Sequence, residues 1–359
     1  MKRRELLKKA GVAVAASSVF GPVYAQTTPT IRWRLASSFP KSLDTIFGAS
    51  DVFASRLNEL TDGKFQVRAF AAGEIVPGLQ VLDAVQQGTV ELGHTASYYF
   101  VGKNPSLAFD TALPFGLTAR QQNAWLYHGG GLATMQKVYG DFNIINFPGG
   151  NTGAQMGGWW RKEINTAADL KGIKMRIPGL GGQVMSRLGI VTQTLAGGDI
   201  YPALEKGTVD SAEWVGPYDD EKLGFYKVAK FYYYPGWWEP GPGLSFLVNL
   251  DQWKKLPKDY QSAIQVAAAE ANVDMMARYD AQNPKALQSL LSKGVKLRRF
   301  SGEILKAAQK EAFALYDETA AKDATYKSIY ADWKKFRDAQ YKWNAVGELG
   351  YEQFAFAGL

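Results

Sequence analysis

The sequence predicts an α/β protein of two Rossmann-like lobes with a ligand cleft between them and long helices toward the C-terminus. Three observations carry this. Strand-like and helix-like segments alternate in two successive series, and strands separated by helices need crossover connections, which make the sheets largely parallel. A glycine-dense segment, GGNTGAQMGGWW, stands between the series, where backbone without Cβ atoms can pass close to backbone or ligand. With 359 residues and 46% hydrophobic content, the chain also has enough apolar material for two cores.

The first 25 residues pair a basic start with an apolar run from Ala10 to Phe20 and a small residue at Ala25, the pattern of a cleaved export signal. The run is too short to span a bilayer. Arg3 and Arg4 fit twin-arginine export as well as general secretion, and either route leaves the cytoplasm. In IRWRLASSFP, Ile31, Trp33 and Leu35 alternate with arginines and predict the first strand. Asp44 to Leu60 follows as an amphipathic helix, Phe65 to Phe70 as a strand, Leu79 to Gln86 as a helix closed by Gly88, and Val90 to Ala96 as a third strand. Tyr98 and Tyr99 come directly after that strand. A helical stretch lies between Ala119 and Tyr139.

The second series begins with a helix at Thr166 to Leu170, the strand IKMRIPG, a helix around Gln183 to Leu188 and the strand IVTQTLA. Asp199 is placed to cap the helix IYPALEKG, which Gly207 ends. The strand VDSAEWVGP follows, stopped by Pro217, so that Glu213 and Trp214 fall near its C-terminal end, where ligands bind in open α/β sheets. Another strand starts at Gly243. From Lys258 to about Leu291, apolar residues at 260, 263, 264, 267, 271 and 275 predict a long helix, kinked or broken near Pro284. The predicted lobes are 26–152 with 240–282 and 153–239 with 283–335, leaving 336–359 as a C-terminal helix and tail. Aromatics at 326, 330, 333, 336 and 341 form a stripe broad enough to pack on the chain itself or on a second copy.

Composition removes several function classes. The predicted signal takes five of the 41 basic residues and one of the 34 acidic ones, leaving 36 against 33 and a formal charge of +3. The remaining basic pairs are scattered among acids, unlike the clustered groove of a nucleic-acid binder. There is no cysteine, hence no disulfide, thiol catalysis or thiolate metal site. Only His94 and His128 are present, and neither a nucleophile elbow, a dinucleotide fingerprint nor a P-loop occurs. His94, within a strand, reads as a satisfied core residue.

The remaining chemistry is oxygen-based. Gln155, Glu213 and Glu239 are candidate donors to a hard cation such as Na⁺ or Ca²⁺. Arg176 offers a planar fork for a carboxylate. Asn151 adds an amide in the glycine-rich segment, and Tyr98, Tyr99, Trp214, Trp237 and Trp238 offer walls for a small ligand. Read singly, these residues fit solvated carboxylates, a surface arginine and core aromatics equally well.

Four longer stretches, LASSFPKSLDTIFGA, FPGGNTGAQMGGWW, LAGGDIYPALEKGTVDSAEWVGPYDDEKLGF and YYYPGWWE, together resemble the solute-binding subunit of a tripartite ATP-independent periplasmic (TRAP) transporter, most of all the branch that binds 2-oxo acids such as pyruvate. The likeness spans essentially the whole mature chain. It implies a periplasmic binding protein of two lobes and a hinge, not an enzyme, which takes a monocarboxylate together with Na⁺ or Ca²⁺ and delivers it to the transporter's membrane subunits. By the same resemblance, Gln155, Glu213, Glu239 and the backbone carbonyl of Trp214 hold the cation, Arg176 binds the carboxylate, and two copies pair through a C-terminal helix. A 2-hydroxy acid such as lactate offers nearly the same chelating geometry, and an exported cation-dependent enzyme acting on such acids is the alternative class.

Overall fold

The computed structural model describes residues 29–358, so the predicted export signal lies outside the described residues. The chain lays down β1 (Ile31–Ser37), β2 (Phe65–Phe70), β3 (Leu92–Thr95) and β4 (Ile144–Asn151), then β5 (Trp159–Trp160), β6 (Lys174–Arg176), β7 (Val191–Gln193), β8 (Ser211–Ala212) and β9 (Phe231–Tyr234). It finishes with β10 (Gly243–Asn249) and β11 (Lys296–Arg299). These form two sheets, of order β2-β1-β3-β10-β4 and β11-β9-β5-β8-β6-β7. The chain therefore passes between sheets three times, through 152–158, through 235–242, and by way of the helix Lys258–Ser292.

Both sheets are mixed, where largely parallel ones were expected. The βαβ units pair in parallel, as at β1 with β2 and β3, and at β6 with β7 and β8. The strands next to the crossings run against their neighbours: β10 is antiparallel to β3 and β4, and β5 to β8 and β9. A chain that leaves one sheet and re-enters it from the other side need not make a crossover of its own, so the parallel rule does not bind it. All seven residues of β10 are buried, as expected of a strand covered on both faces.

The 35-residue helix Lys258–Ser292 buries Tyr260, Ala263, Ile264, Ala267, Ala271, Met275 and Tyr279 on one face and continues through Pro284 as a single helix. The expected kink or break is outweighed locally by what the C-terminal part holds in place: Ala286 and Leu290 are buried, and Asn283 Oδ1 accepts the Tyr218 backbone N–H at 3.0 Å. Against its N-terminal half packs the helix Gly48–Leu60, which buries Phe53 and Leu57 completely. Each such side chain contributes about 1.5–3 kcal/mol by leaving water.

Other elements are shorter than their patterns suggested. The predicted strand 190–196 pairs only over Val191–Gln193. The stretch 119–139 divides into Ala119–His128 and Gly131–Gly140, because Gly130 takes a left-handed conformation (φ 81°) between them. At the C-terminus, the helix Ala324–Val346 starts on an Asp323 cap and buries Tyr326, Ile329, Tyr330 and Trp333 against its own chain. Beyond Phe336 the apolar stripe turns outward: Trp343 is 63% exposed, Val346 78% and Phe354 86%.

Candidate ligand-binding site

β6 and β8 run side by side in parallel, and their C-terminal ends carry the two charged residues of the site. Arg176 ends β6. Glu213 follows β8 immediately, its N–H donating to the Arg176 carbonyl at 3.1 Å. The predicted strand 209–217 thus pairs only at Ser211–Ala212, because Gly216 and Pro217 open a helix, Pro217–Leu223, that the sequence reading missed. Its signals were present: proline at the first helical position and Asp219 and Asp220 in the first turn. Asp199 is not a cap. The helix begins two residues earlier, at Gly197, and the residue preceding it, Ala196, has no capping side chain. Gly197 is needed for a different reason, since a Cβ there would lie 2.6 Å from the Trp214 ring.

Gln155 and Glu239 arrive on the two crossovers, which pair with each other. The Gln155 N–H donates to the Glu239 carbonyl at 3.2 Å, and the Gln155 carbonyl accepts from Gly236 N–H at 3.0 Å. Tyr98, in the turn after β3, donates its hydroxyl to Glu239 Oε2 at 3.2 Å, tying the first sheet's loop to the second crossing. Asn151 braces the first crossover: its amide donates to the Gly241 carbonyl and its Oδ1 accepts from Gly153 N–H. Trp237 stacks on Phe115, and Trp238 packs against Phe300 and Trp237. His94 is a core residue between Ser50 Oγ and the Gly149 carbonyl, kept neutral by burial.

A narrow, partly open cavity lies among Phe39, Ile46, Ala96, Tyr98, Tyr99, Thr152, Gln155, Trp214, Val215, Pro242 and Leu244. One side is polar and aromatic, the other apolar. Thr152, Ile46, Val215, Pro242 and Leu244 had not been picked out. Only the position of Phe39, in the loop after β1, carried a signal. Arg176 is 1% exposed and Glu213 0%. The guanidinium lies 5.2 Å from the Trp214 ring, donates Nε to the Leu195 carbonyl and Nη1 to the Glu213 carbonyl, and pairs with Glu213 Oε1. Burial opposes the charge on Arg176, but Glu213, Tyr99 and Tyr98 outweigh it. Burial also lifts Glu213 to about 7, against the pull of Arg176, and lifts Glu239 well above the carboxylate range with further help from Glu213.

Three buried polar atoms at this place have no hydrogen-bond partner: Gln155 Oε1, Arg176 Nη2 and Glu213 Oε2. Buried polar atoms are ordinarily satisfied, and orphans of opposite polarity together mark a site built for something with both a positive and a negative part. Among the described residues no three His, Cys, Asp or Glu side chains cluster to hold a metal. The donor set here is instead two carboxylates and neutral oxygens, which fits a hard cation whose remaining ligands come from a bound anion.

The buried acids give a pH signature. Asp220 is raised to about 7, Asp219 to about 6 and Glu213 to about 7, each chiefly by burial. In the unfolded chain such groups ionise from about pH 4 upward. Between about pH 4 and 7 the folded state therefore binds more protons, and the stability these groups contribute falls as pH rises. Melting of chelated, ligand-free protein by differential scanning fluorimetry should give a higher midpoint near pH 5.5 than near pH 7.5. A midpoint that climbs over that interval would contradict the burial of these acids.

Two sheets with their helices, joined by three crossings, frame a small cavity whose wall residues Trp214, Gln155 and Tyr98 touch or neighbour the buried Arg176, Glu213 and Glu239, an arrangement suited to solute binding. Residues 36–323 match the bacterial extracellular solute-binding proteins, family 7, and the chain belongs to that family. It is 58% identical, over 361 residues and 99% of both chains, to a monocarboxylate 2-oxoacid-binding periplasmic protein of Nostoc sp.. A TRAP transporter solute-binding protein from Bordetella bronchiseptica, 50% identical over 92% of this chain and 98% of its own, matches with a TM-score of 0.91; its crystal held a mixed-occupancy dimer with copurified calcium and picolinate in one active site and an apo site. A third, from Pseudoalteromonas atlantica, is 39% identical over 90% of this chain and 99% of its own, with a TM-score of 0.88 and bound sodium and pyruvate.

Proposed function

We propose that this protein captures a small 2-oxo monocarboxylate of the pyruvate type, together with Na⁺ or Ca²⁺, in the periplasm and delivers it to the membrane subunits of a TRAP transporter, without chemical turnover. The observation that supports this most directly is the set of unpartnered buried atoms on Gln155, Arg176 and Glu213 beside a cavity whose other wall is apolar. In this reading Arg176 takes the carboxylate, with Tyr98, Tyr99 and the Trp214 ring around it. Gln155, Glu213, Glu239 and the Trp214 carbonyl would hold the cation, and Asn151 keeps the crossover bearing Gln155 in place. A bound cation supplies positive charge that lets two acids face an anionic ligand. The lobes, 26–152 with 240–282 and 153–239 with 283–335, would open and close about the crossings. Titration calorimetry against pyruvate, 2-oxobutyrate, lactate and 2-oxoglutarate tests the reading. The two 2-oxo monocarboxylates should bind tightest, since the apolar wall leaves a second carboxylate without a partner. Preference for 2-oxoglutarate would refute it, preference for lactate would move the ligand to the 2-hydroxy class, and product formed from pyruvate would revive an enzyme.

The C-terminal segment supports a homodimer. Val346, Tyr351, Phe354 and Phe356 are all more than half exposed, an apolar surface that monomers rarely carry. The sequence stripe serves the chain's own packing, Tyr326, Tyr330 and Trp333 in the core and Tyr341 through its hydroxyl to the Phe115 and Gly116 carbonyls, and the exposed apolar residues from Trp343 onward are those left for a second copy. Light scattering should give a dimer for the intact chain and a monomer for Val346→Asp/Phe354→Asp. A monomer in both would end the proposal.

A further inference from the structure

The helix Pro217–Leu223 carries two fully buried acids that no part of the proposed ligand chemistry uses. Asp220 is spent within its own lobe, accepting from Trp159 Nε1 at 2.9 Å, Tyr232 hydroxyl at 2.7 Å and Val215 N–H at 3.3 Å. Asp219 is different. Its Oδ2 accepts from the Trp214 indole Nε1 at 3.2 Å and from the hydroxyl of Tyr279 at 2.7 Å, and Tyr279 belongs to the long helix that runs between the sheets. The same end of that helix takes the Tyr218 N–H through Asn283. Trp214 in turn lines the cavity and lies under Arg176. Phe39 packs edge-on against its ring, with centroids 6.4 Å apart, and Gly197 leaves it room.

We propose that Asp219 is a positioning residue: it fixes the Trp214 ring from behind and fastens it to Tyr279, so that the floor under Arg176 is held by the helix that connects the lobes. The indole has little freedom to rotate, because turning it would leave the buried carboxylate with the Tyr279 hydroxyl alone, its Oδ1 having no hydrogen-bond partner. The position of Arg176 then depends on Tyr279, which stands 60 residues from Asp219 in the chain. The inference rests on Trp214 belonging to the binding site proposed above.

The test uses the mature chain with Asp219→Asn, Tyr279→Phe, Trp214→Phe and the double variant Asp219→Asn/Trp214→Phe. In calcium buffer, Asp219→Asn should weaken pyruvate binding roughly tenfold and Tyr279→Phe roughly threefold, mainly through faster dissociation. In the Trp214→Phe background, where no indole remains to be held, Asp219→Asn should cost less than about twofold. The indole N–H resonance of Trp214, identified by its loss in Trp214→Phe, should shift in both Asp219→Asn and Tyr279→Phe before any ligand is added. Affinities within about twofold of wild type, or an Asp219→Asn cost that is the same with and without the indole, would overturn the proposal. If Asp219→Asn does not fold, Tyr279→Phe decides by the same criteria. If the wild type binds no pyruvate, the ligand reading fails on its own, and an unmoved Trp214 resonance in the variants separately sinks the role of Asp219.

Discussion

Arg176→Met should lower affinity for pyruvate by 2–5 kcal/mol, on the order of thirtyfold to several thousandfold, when measured by titration calorimetry. Two losses combine. The ligand carboxylate keeps the desolvation it suffers on entering the cleft but has no guanidinium to meet, and Glu213, 0% exposed, loses the cation that pairs with its Oε1. Because the second loss also destabilises the fold, Arg176→Lys is the informative companion. It keeps the charge but has no planar fork to serve the Leu195 and Glu213 carbonyls and a ligand together, so it should fall between wild type and Arg176→Met. Affinity within about threefold of wild type for Arg176→Met, roughly 0.65 kcal/mol, would reduce Arg176 to a structural partner of Glu213.

Removal of the cation should cost about as much. Burial and then the nearby Glu213 raise the pKa of Glu239, as a like charge close by does. Were the acids ionised, an anion brought to them would meet repulsion of about 4 kcal/mol for unit charges 4 Å apart at an effective dielectric of about 20, close to a thousandfold in affinity as an upper figure, which the raised pKa of Glu239 reduces by keeping that acid protonated. Pyruvate binding in sodium-free buffer with chelator should therefore fall by more than about thirtyfold, and calcium or sodium should restore it. Glu239→Gln should bind weakly under both conditions, because it removes a cation ligand rather than the repulsion alone. Affinity that is indifferent to chelation and to Glu239→Gln would leave Arg176 holding the acid unaided.

The class of fold, and the positions in it of the proposed site residues Glu213 and Trp214, could be read from the sequence because their signals are local or motif-borne. Alternation in IRWRL gives β1, and the spacing from Tyr260 to Met275 gives the buried face of the long helix. Glu213 and Trp214 were placed at a strand's C-terminal end, and they lie one and two residues past β8. What escaped depends on the chain returning to itself. The direction of β10 is fixed by its route between sheets, and the cavity's apolar wall joins Ile46 to Leu244 across nearly two hundred residues. Asp199 shows the opposite failure: the local rule for a cap was sound, yet the chain entered the helix at Gly197, where Trp214 needs the space. The role of Asp219 could not be read at all, because nothing in a helix's first turn says which ring from elsewhere will lean on its acid.

The pairing of the two crossovers bears on how cargo is let go. Gln155 and Glu239 are hydrogen-bonded to each other through backbone, while Glu239 also accepts the hydroxyl of Tyr98 from the first lobe. A hinge usually lies apart from the site it closes, so that the jaws separate and the ligand site survives on one of them. Here the two crossing segments, the proposed hinge, supply Thr152, Gln155 and Pro242 to the cavity wall. If the proposed lobes part, the Tyr98–Glu239 contact between them would break and the crossing segments that carry Gln155 and Glu239 would move together, so that anion and cation would be released together.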